Sequence, residues 1–154
     1  MDRRYRGSRG FTLIELVAVV VILGALTALA VPRMSPGDST VNAQADRLAA
    51  ELRHAQALAM SQGRTLSFEI LSSTAYRVAD AGGATVRDPG GELLNFTLQN
   101  GVTLGGGNID FDSLGRPLSA GSLVGAAQNW TLNGENGSAT VSLQPVTGFV
   151  AVTP

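Results

Sequence analysis

The chain has 154 residues, room for one ordinary domain, with 44% hydrophobic and 15% charged residues. That balance excludes an intrinsically disordered chain. The absence of Cys excludes disulfide scaffolds, thiolate metal sites and cysteine nucleophiles, and a single His, His54, excludes a multi-histidine metal centre.

Charge is unevenly placed. All 11 basic residues are Arg, and four of them (Arg3, Arg4, Arg6, Arg9) fall in the first ten positions. Without those ten residues, 7 Arg stand against 11 acidic residues, a balance of −4. A basic tag ahead of an acidic body is the layout of an export or membrane-insertion signal. The apolar run 11–31 follows, 21 residues with one charge, Glu15. As a helix it would be about 31 Å long, enough for a bilayer core. It is apolar on every side, unlike a soluble amphipathic helix. The Arg cluster predicts a cytoplasmic N-terminus.

Glu15 is the odd residue in this run. A carboxylate at the centre of a span costs about 2.5–3.5 kcal/mol and less near an end, so a partner is expected. On a helix Glu15 shares a face with Phe11 and leans toward the N-terminus. A cut between Gly10 and Phe11 would create an α-ammonium there. Glu15 could neutralise that amine, in its own chain or in a neighbouring one.

Gly10-Phe11-Thr12-Leu13-Ile14-Glu15-Leu16, behind an Arg-rich leader, closely resembles the class III signal of type IV pilins and type II secretion pseudopilins. The resemblance implies that a prepilin peptidase cuts after Gly10 and methylates Phe11 to N-methylphenylalanine. It implies that Glu15 pairs with the N-terminal amine of an adjacent subunit and sets register in a filament. Pro32 matches the helix-kinking Pro of these proteins. Two other readings stay open here. One is a secretory signal peptide cut after Ala28-Leu29-Ala30, and the other is a plain membrane anchor with an incidental Glu.

Pro32-Arg33-Met34-Ser35-Pro36-Gly37 interrupts the apolar pattern. Asp38, Ser39 or Thr40 could cap a new helix. Val41, Ala45, Leu48, Leu52, Ala55 and Ala59 then form one stripe at helical spacing, and Gly63 is a natural C-terminal cap. The stretch predicts an amphipathic helix over 37–62 that lays its stripe on a sheet. Arg47 and Glu51 are four apart and could pair. His54 lies beside the stripe and reads as a satisfied or exposed histidine.

From Arg64 the period becomes two. Residues 64–70 and 74–78 predict a hairpin around Ser72-Ser73. A Gly-rich loop follows around Gly82-Gly83 and Asp88-Pro89-Gly90-Gly91. Further strands are expected at 93–98, 102–104, 108–112, 129–132, 139–143 and 148–152, separated by turns such as Asn100-Gly101 and Asn133-Gly134. The short spacing points to antiparallel pairing. Residues 48–59 resemble the "LR-x-AQ-x-LA" stretch of H-type minor pseudopilins and related minor pilins, the GspH/FimT family. Residues 109–117 resemble that family's "F-D-x-x-G-R-P" strand and turn, and Thr147-Gly148-Phe149-Val150 its closing strand.

Candidate chemistry is sparse. Asp110 and Asp112 are two apart, on one face if the stretch is a strand, and could serve acid–base work or calcium, but the surrounding residues lack a six-oxygen calcium spacing. Gly105-Gly106-Gly107 is a turn, since no phosphate-loop pattern and no Lys is present. Some FimT-like relatives bind DNA through basic residues in the C-terminal tail, whereas here the last Arg is Arg116.

The sequence therefore predicts an α+β, pilin-like fold. A leader spans 1–10, a membrane and filament-core helix 11–34, an amphipathic helix 37–62 and a periplasmic antiparallel β-domain 64–154. The resemblance implies a non-enzymatic minor pseudopilin of a type II secretion system, or alternatively a minor pilin of a type IV or mannose-sensitive-type pilus. No cofactor or metal is expected. Expected partners are other pilin-type subunits, the prepilin peptidase, inner-membrane lipid and the inner-membrane assembly platform. Nucleic acid is not expected among them.

Overall fold

A computed structural model describes residues 12–30 and 36–154. The predicted leader 1–10, with Gly10, and also Phe11 and Pro32, lie outside the described residues. The chain divides into two compact units, 1–34 and 35–154.

In the first unit, helix α1 covers Leu13–Ala30. Its 18 residues rise about 27 Å. Among the described residues no helix is long and apolar enough to cross a membrane. The 21-residue run read from the sequence ends on Phe11 and Val31, both outside them.

The second unit starts with helix α2, Pro36–Gln62. It begins earlier than the caps read from the sequence, so Asp38, Ser39 and Thr40 lie inside the helix. Proline suits the first helical turn because its missing N–H would have no intrahelical partner there. The helix ends as its sequence suggests. Gly63 has φ +62°, its N–H bonds Met60 O at 3.4 Å, and Arg64 N–H reaches back to Ala59 O at 3.2 Å. That pair of bonds is a Schellman cap. Every residue of the expected stripe is buried, joined by Ala49 and Leu58.

Ten strands follow: β1 (Leu66–Ser72), β2 (Ala75–Asp80), β3 (Asn95–Thr97), β4 (Thr103–Gly105), β5 (Ile109–Phe111), β6 (Pro117–Ser119), β7 (Ser122–Leu123), β8 (Gln128–Asn133), β9 (Ser138–Leu143) and β10 (Val150–Thr153). They form a six-stranded sheet, β3-β2-β1-β5-β6-β7, and a four-stranded sheet, β10-β9-β8-β4. Every pairing is antiparallel. Both sheets pack on α2. Trp130 of β8 joins them, its ring edge-on to Phe68 of β1 at 5.8 Å. The aromatic row continues through Tyr76 to Phe96 at 5.2 Å per step. Offset and edge contacts of this kind add about 0.5–1.5 kcal/mol each beyond burial.

Two local expectations need correction. The Gly-rich stretch after β2 is no open loop. Val78 N–H bonds Leu94 O, Val86 N–H bonds Val78 O and Leu94 N–H bonds Val86 O, all at 2.9 Å, so Val86 and Leu94 reach the core. The β6–β7 hairpin has no expected counterpart. Its turn is Ala120-Gly121 with φ 49° and 78°, a type I′ geometry normally announced by Asn or Asp.

Candidate functional site

Among the described residues, two places gather residues or motif-like stretches singled out in the sequence. The first is the start of α1. Thr12 precedes the helix, and its Oγ1 accepts a bond from Glu15 N–H at 3.3 Å. Thr12 O accepts from Glu15 and Leu16 N–H at 3.1 and 3.2 Å. Thr12-x-x-Glu15 is thus the spacing of a capping box, which fixes where the helix begins. Glu15 occupies the first turn, where the helix dipole favours negative charge. Its neighbours expose their apolar side chains, from Leu13 at 80% to Leu23 at 57%. Over its described side chains this helix offers an exposed apolar contact surface with one carboxylate in its first turn.

The second place is the C-terminal half of α2, where three separate stretches meet. Arg53 Nη2 donates to Val150 O of β10 at 2.9 Å. Gln56 Nε2 donates to Gly115 O at 2.7 Å and to Thr147 O at 3.1 Å. Gly115 follows β5 in one sheet, and Thr147 precedes β10 in the other. One amide therefore ties both sheets to the helix. The approach is close enough to exclude side chains. A Cβ on Gly148 (φ +66°) would overlap Gln56 Nε2, and one on Gly115 (φ +76°) would sit 2.8 Å from Met60 Sδ.

Asp112 builds the first of these turns. Its Oδ1 accepts from Leu114 and Arg116 N–H at 2.9 and 2.8 Å, and its Oδ2 from Arg116 Nε at 2.8 Å. The Arg116 Nη2 is 2.7 Å from the same oxygen. Burial opposes its ionisation, but the Arg116 amide and guanidinium and the Leu114 amide outweigh that and hold the carboxyl below its ordinary range. Four donors occupy these two oxygens, so the geometry is that of a turn lock. Asp110 faces along β5 at intermediate exposure. Among the described residues no group of three or more His, Asp or Glu is arranged to hold a metal ion.

The Arg47–Glu51 pair is replaced by another contact, with the Arg47 guanidinium 5.3 Å above the Phe96 ring. Burial pushes the Glu51 carboxyl up, Asp88 adds to this, and His54 and Arg47 pull against it. Glu51, His54, Asp88 and Glu92 share an open cleft of about 360 Å³ with Leu93 and Phe96. The lining holds one imidazole and three carboxylates but no hydroxyl or thiol.

The Arg53–Gln56 link went unread in the sequence. Its advance signal was the set of motif-like stretches 48–59, 109–117 and 147–150, which contain its residues without reporting that they meet.

Comparison with known proteins bears on the family and the fold. The model of the "Prokaryotic N-terminal methylation motif" matches residues 5–31, and that of "Type II transport protein GspH" matches residues 44–148. The chain is similar to the type IV narrow pilus major component PilA5 of Thermus thermophilus, with 47% identity over 58 residues. That alignment covers 37% of this chain and spans about half, 50%, of the relative's length. Two crystal structures of the type IV minor pilin FimU from Pseudomonas aeruginosa share the fold at 16% identity, with TM-scores of 0.58 and 0.54. The matches cover 74% and 71% of this chain and 88% and 90% of those chains.

Proposed function

This chain belongs to the family of the type II transport protein GspH, and on that premise we propose that it is a minor pseudopilin of a type II secretion system. It is a pilin-like subunit that assembles with other such subunits into a filament and is anchored in a membrane through its N-terminal segment. In this reading the filament is a periplasmic pseudopilus that drives protein export. The observation that carries the reading is the family match along residues 44–148.

The work assigned to the chain is assembly. A prepilin peptidase removes residues 1–10 after Gly10 and methylates Phe11. The helix then anchors the subunit in the inner membrane, N-terminus inside and β-domain in the periplasm. During assembly on the inner-membrane platform the helix leaves lipid for the apolar sides of neighbouring helices. Little hydrophobic energy separates these two environments, so selectivity comes from polar groups. Glu15 supplies one. In a low-dielectric bundle an unpaired carboxylate is strongly unfavourable, and a correctly registered N-terminal amine relieves it. The open apolar surface of α1 and the position of Glu15 in its first turn support this role.

A second reading, a minor pilin of a type IV pilus, draws its pilus assignment, and not the minor role, from the similarity to the major component PilA5. A clean deletion separates the two. Lost release of extracellular enzymes with pili intact marks the type II subunit. Lost pili or DNA uptake with secretion intact marks the type IV subunit and overturns the first reading.

A further inference from the structure

The C-terminal end of α2 carries an apolar patch that the fold does not use. Met60 of α2, Leu114 of the turn after β5, and Val146 and Phe149 of the loop before β10 are 49%, 67%, 61% and 63% exposed. They are adjacent. Gln56 binds the backbone next to Leu114 and next to Val146. The Met60 side chain covers Gly115, and Gly148 sits against Gly115 O.

The patch is held rigid. Asp112 locks the Leu114 turn. The other loop is closed by bonds from Gln144 N–H to Phe149 O at 2.8 Å and from Gly148 N–H to Gln144 O at 3.1 Å. Val146 has φ +66°. A β-branched residue avoids that conformation, and residues so held concentrate where a surface is used. The exposed Val146 side chain gains no burial in return.

Size identifies the occupant. Four such side chains expose on the order of 400 Å² of apolar surface, the scale of an interaction site. A stable complex between free proteins needs about 800 Å² per partner. The patch alone is therefore too small to capture a free protein. It suffices for a partner already kept near by a second contact, because a linked contact acts at high effective concentration. Among the described residues such a second contact surface is offered by α1, whose side chains from Leu13 to Ile22 are exposed.

We propose that the Met60–Leu114–Val146–Phe149 patch is a docking surface for the β-domain of a neighbouring pilin-type subunit, one whose own N-terminal helix packs against α1. The inference rests on the filament reading above. It adds to that reading the surface that selects the neighbour, since helix packing alone discriminates poorly among apolar sequences.

The test uses the full chain in its host, with Leu114→Asp and Phe149→Asp, singly and combined. Leu93→Asp, at a site 48% exposed outside the patch, is the control. The readouts are chain level in membranes and chain recovered in sheared filaments. A photoactivatable maleimide on Leu114→Cys, in a chain with no other Cys, reports the neighbour. The proposal expects the double variant at normal membrane level but at least tenfold depleted from filaments, with the control unchanged. It expects the crosslinked neighbour to carry its own pilin-type N-terminal helix. Normal filament recovery of the double variant, or a crosslink to an exported protein, overturns the proposal and leaves the filament reading standing. Absence of the wild-type chain from filaments overturns both.

Discussion

Gly106 offers a sharp test of how the two sheets are joined. Its φ is +153°, and a Cβ there would overlap Trp130 Cδ1 and lie 3.0 Å from Cγ and Nε1. Trp130 is 1% exposed, rests edge-on against Phe68 and donates from Nε1 to Gly107 O at 2.8 Å. In Gly106→Ala the indole or the loop must move. Overpacking of this kind costs about 1–3 kcal/mol. Leaving the buried indole N–H unpaired costs about 1–3 kcal/mol more, and relaxation makes the two partly exclusive. A net loss of about 3–4 kcal/mol is expected. For a unit of this size that is a Tm drop of roughly 10–18 °C. Gly107 is the internal control, because a Cβ there meets nothing within 4 Å. Gly107→Ala is expected to cost less than about 1 kcal/mol. The assay is thermal and urea unfolding of the 35–154 unit, followed by near-ultraviolet signal from its single Trp. Equal stabilities for the two variants would refute the reasoning.

Other outcomes follow from the same geometry. Gln56→Ala removes two bonds that tie the sheets to α2, and about 1–2 kcal/mol of stability is expected to go with them. Gly148→Ala meets Gln56 Nε2, so the double variant is expected to lose less than the sum of the singles. Strict additivity in a double-mutant cycle would deny that contact. The Asp112 carboxyl is held low in the folded chain, so its contribution is present above the unfolded carboxylate range, near 4, and fades as pH falls through the lower folded value. Asp112→Asn is therefore expected to lower stability at pH 7 and to flatten the acid limb of the unfolding curve. An unchanged acid limb would contradict this. Glu51 has the opposite sign, its proton being held more tightly in the folded chain. Glu51→Gln is expected to stabilise at pH 7 and to give no gain at pH 3, and a loss at pH 7 would sink the burial argument. Glu15→Val is expected to insert and be processed but to assemble poorly, and normal filament recovery would remove its register role.

Much of the fold could be read locally. The stripe from Val41 to Ala59 is a helical period, and 66, 68 and 70 follow a strand period, so each signal sits within a few residues. The Asn100-Gly101 turn was legible because Asn and Gly accept the positive φ values of 57° and 72° found there. Ala120-Gly121 adopts the same turn without the Asn, so the β6–β7 hairpin gave no warning. The Arg53–Gln56 link was invisible for a different reason. Its bonds join residues 97, 59 and 91 positions apart, and neither period nor propensity reports such distances. The three stretches that resembled family motifs proved to be neighbours around this link. In space they form a structural joint, with Asp112 as a turn lock. The apolar patch was hidden too, because Leu114 stands alone in one turn and Val146 and Phe149 in a loop more than 30 positions away, and no local period links them.

The central claim is that the chain is a pilin-type subunit processed at Gly10 and Phe11, and the intact mass of the mature chain from membranes tests it most directly. The account predicts a chain that begins at Phe11 and is heavier than the unmodified sequence by one methyl group. A chain that begins at Val31, or one that keeps Met1 and its Arg-rich leader in a strain with active prepilin peptidase, would contradict it.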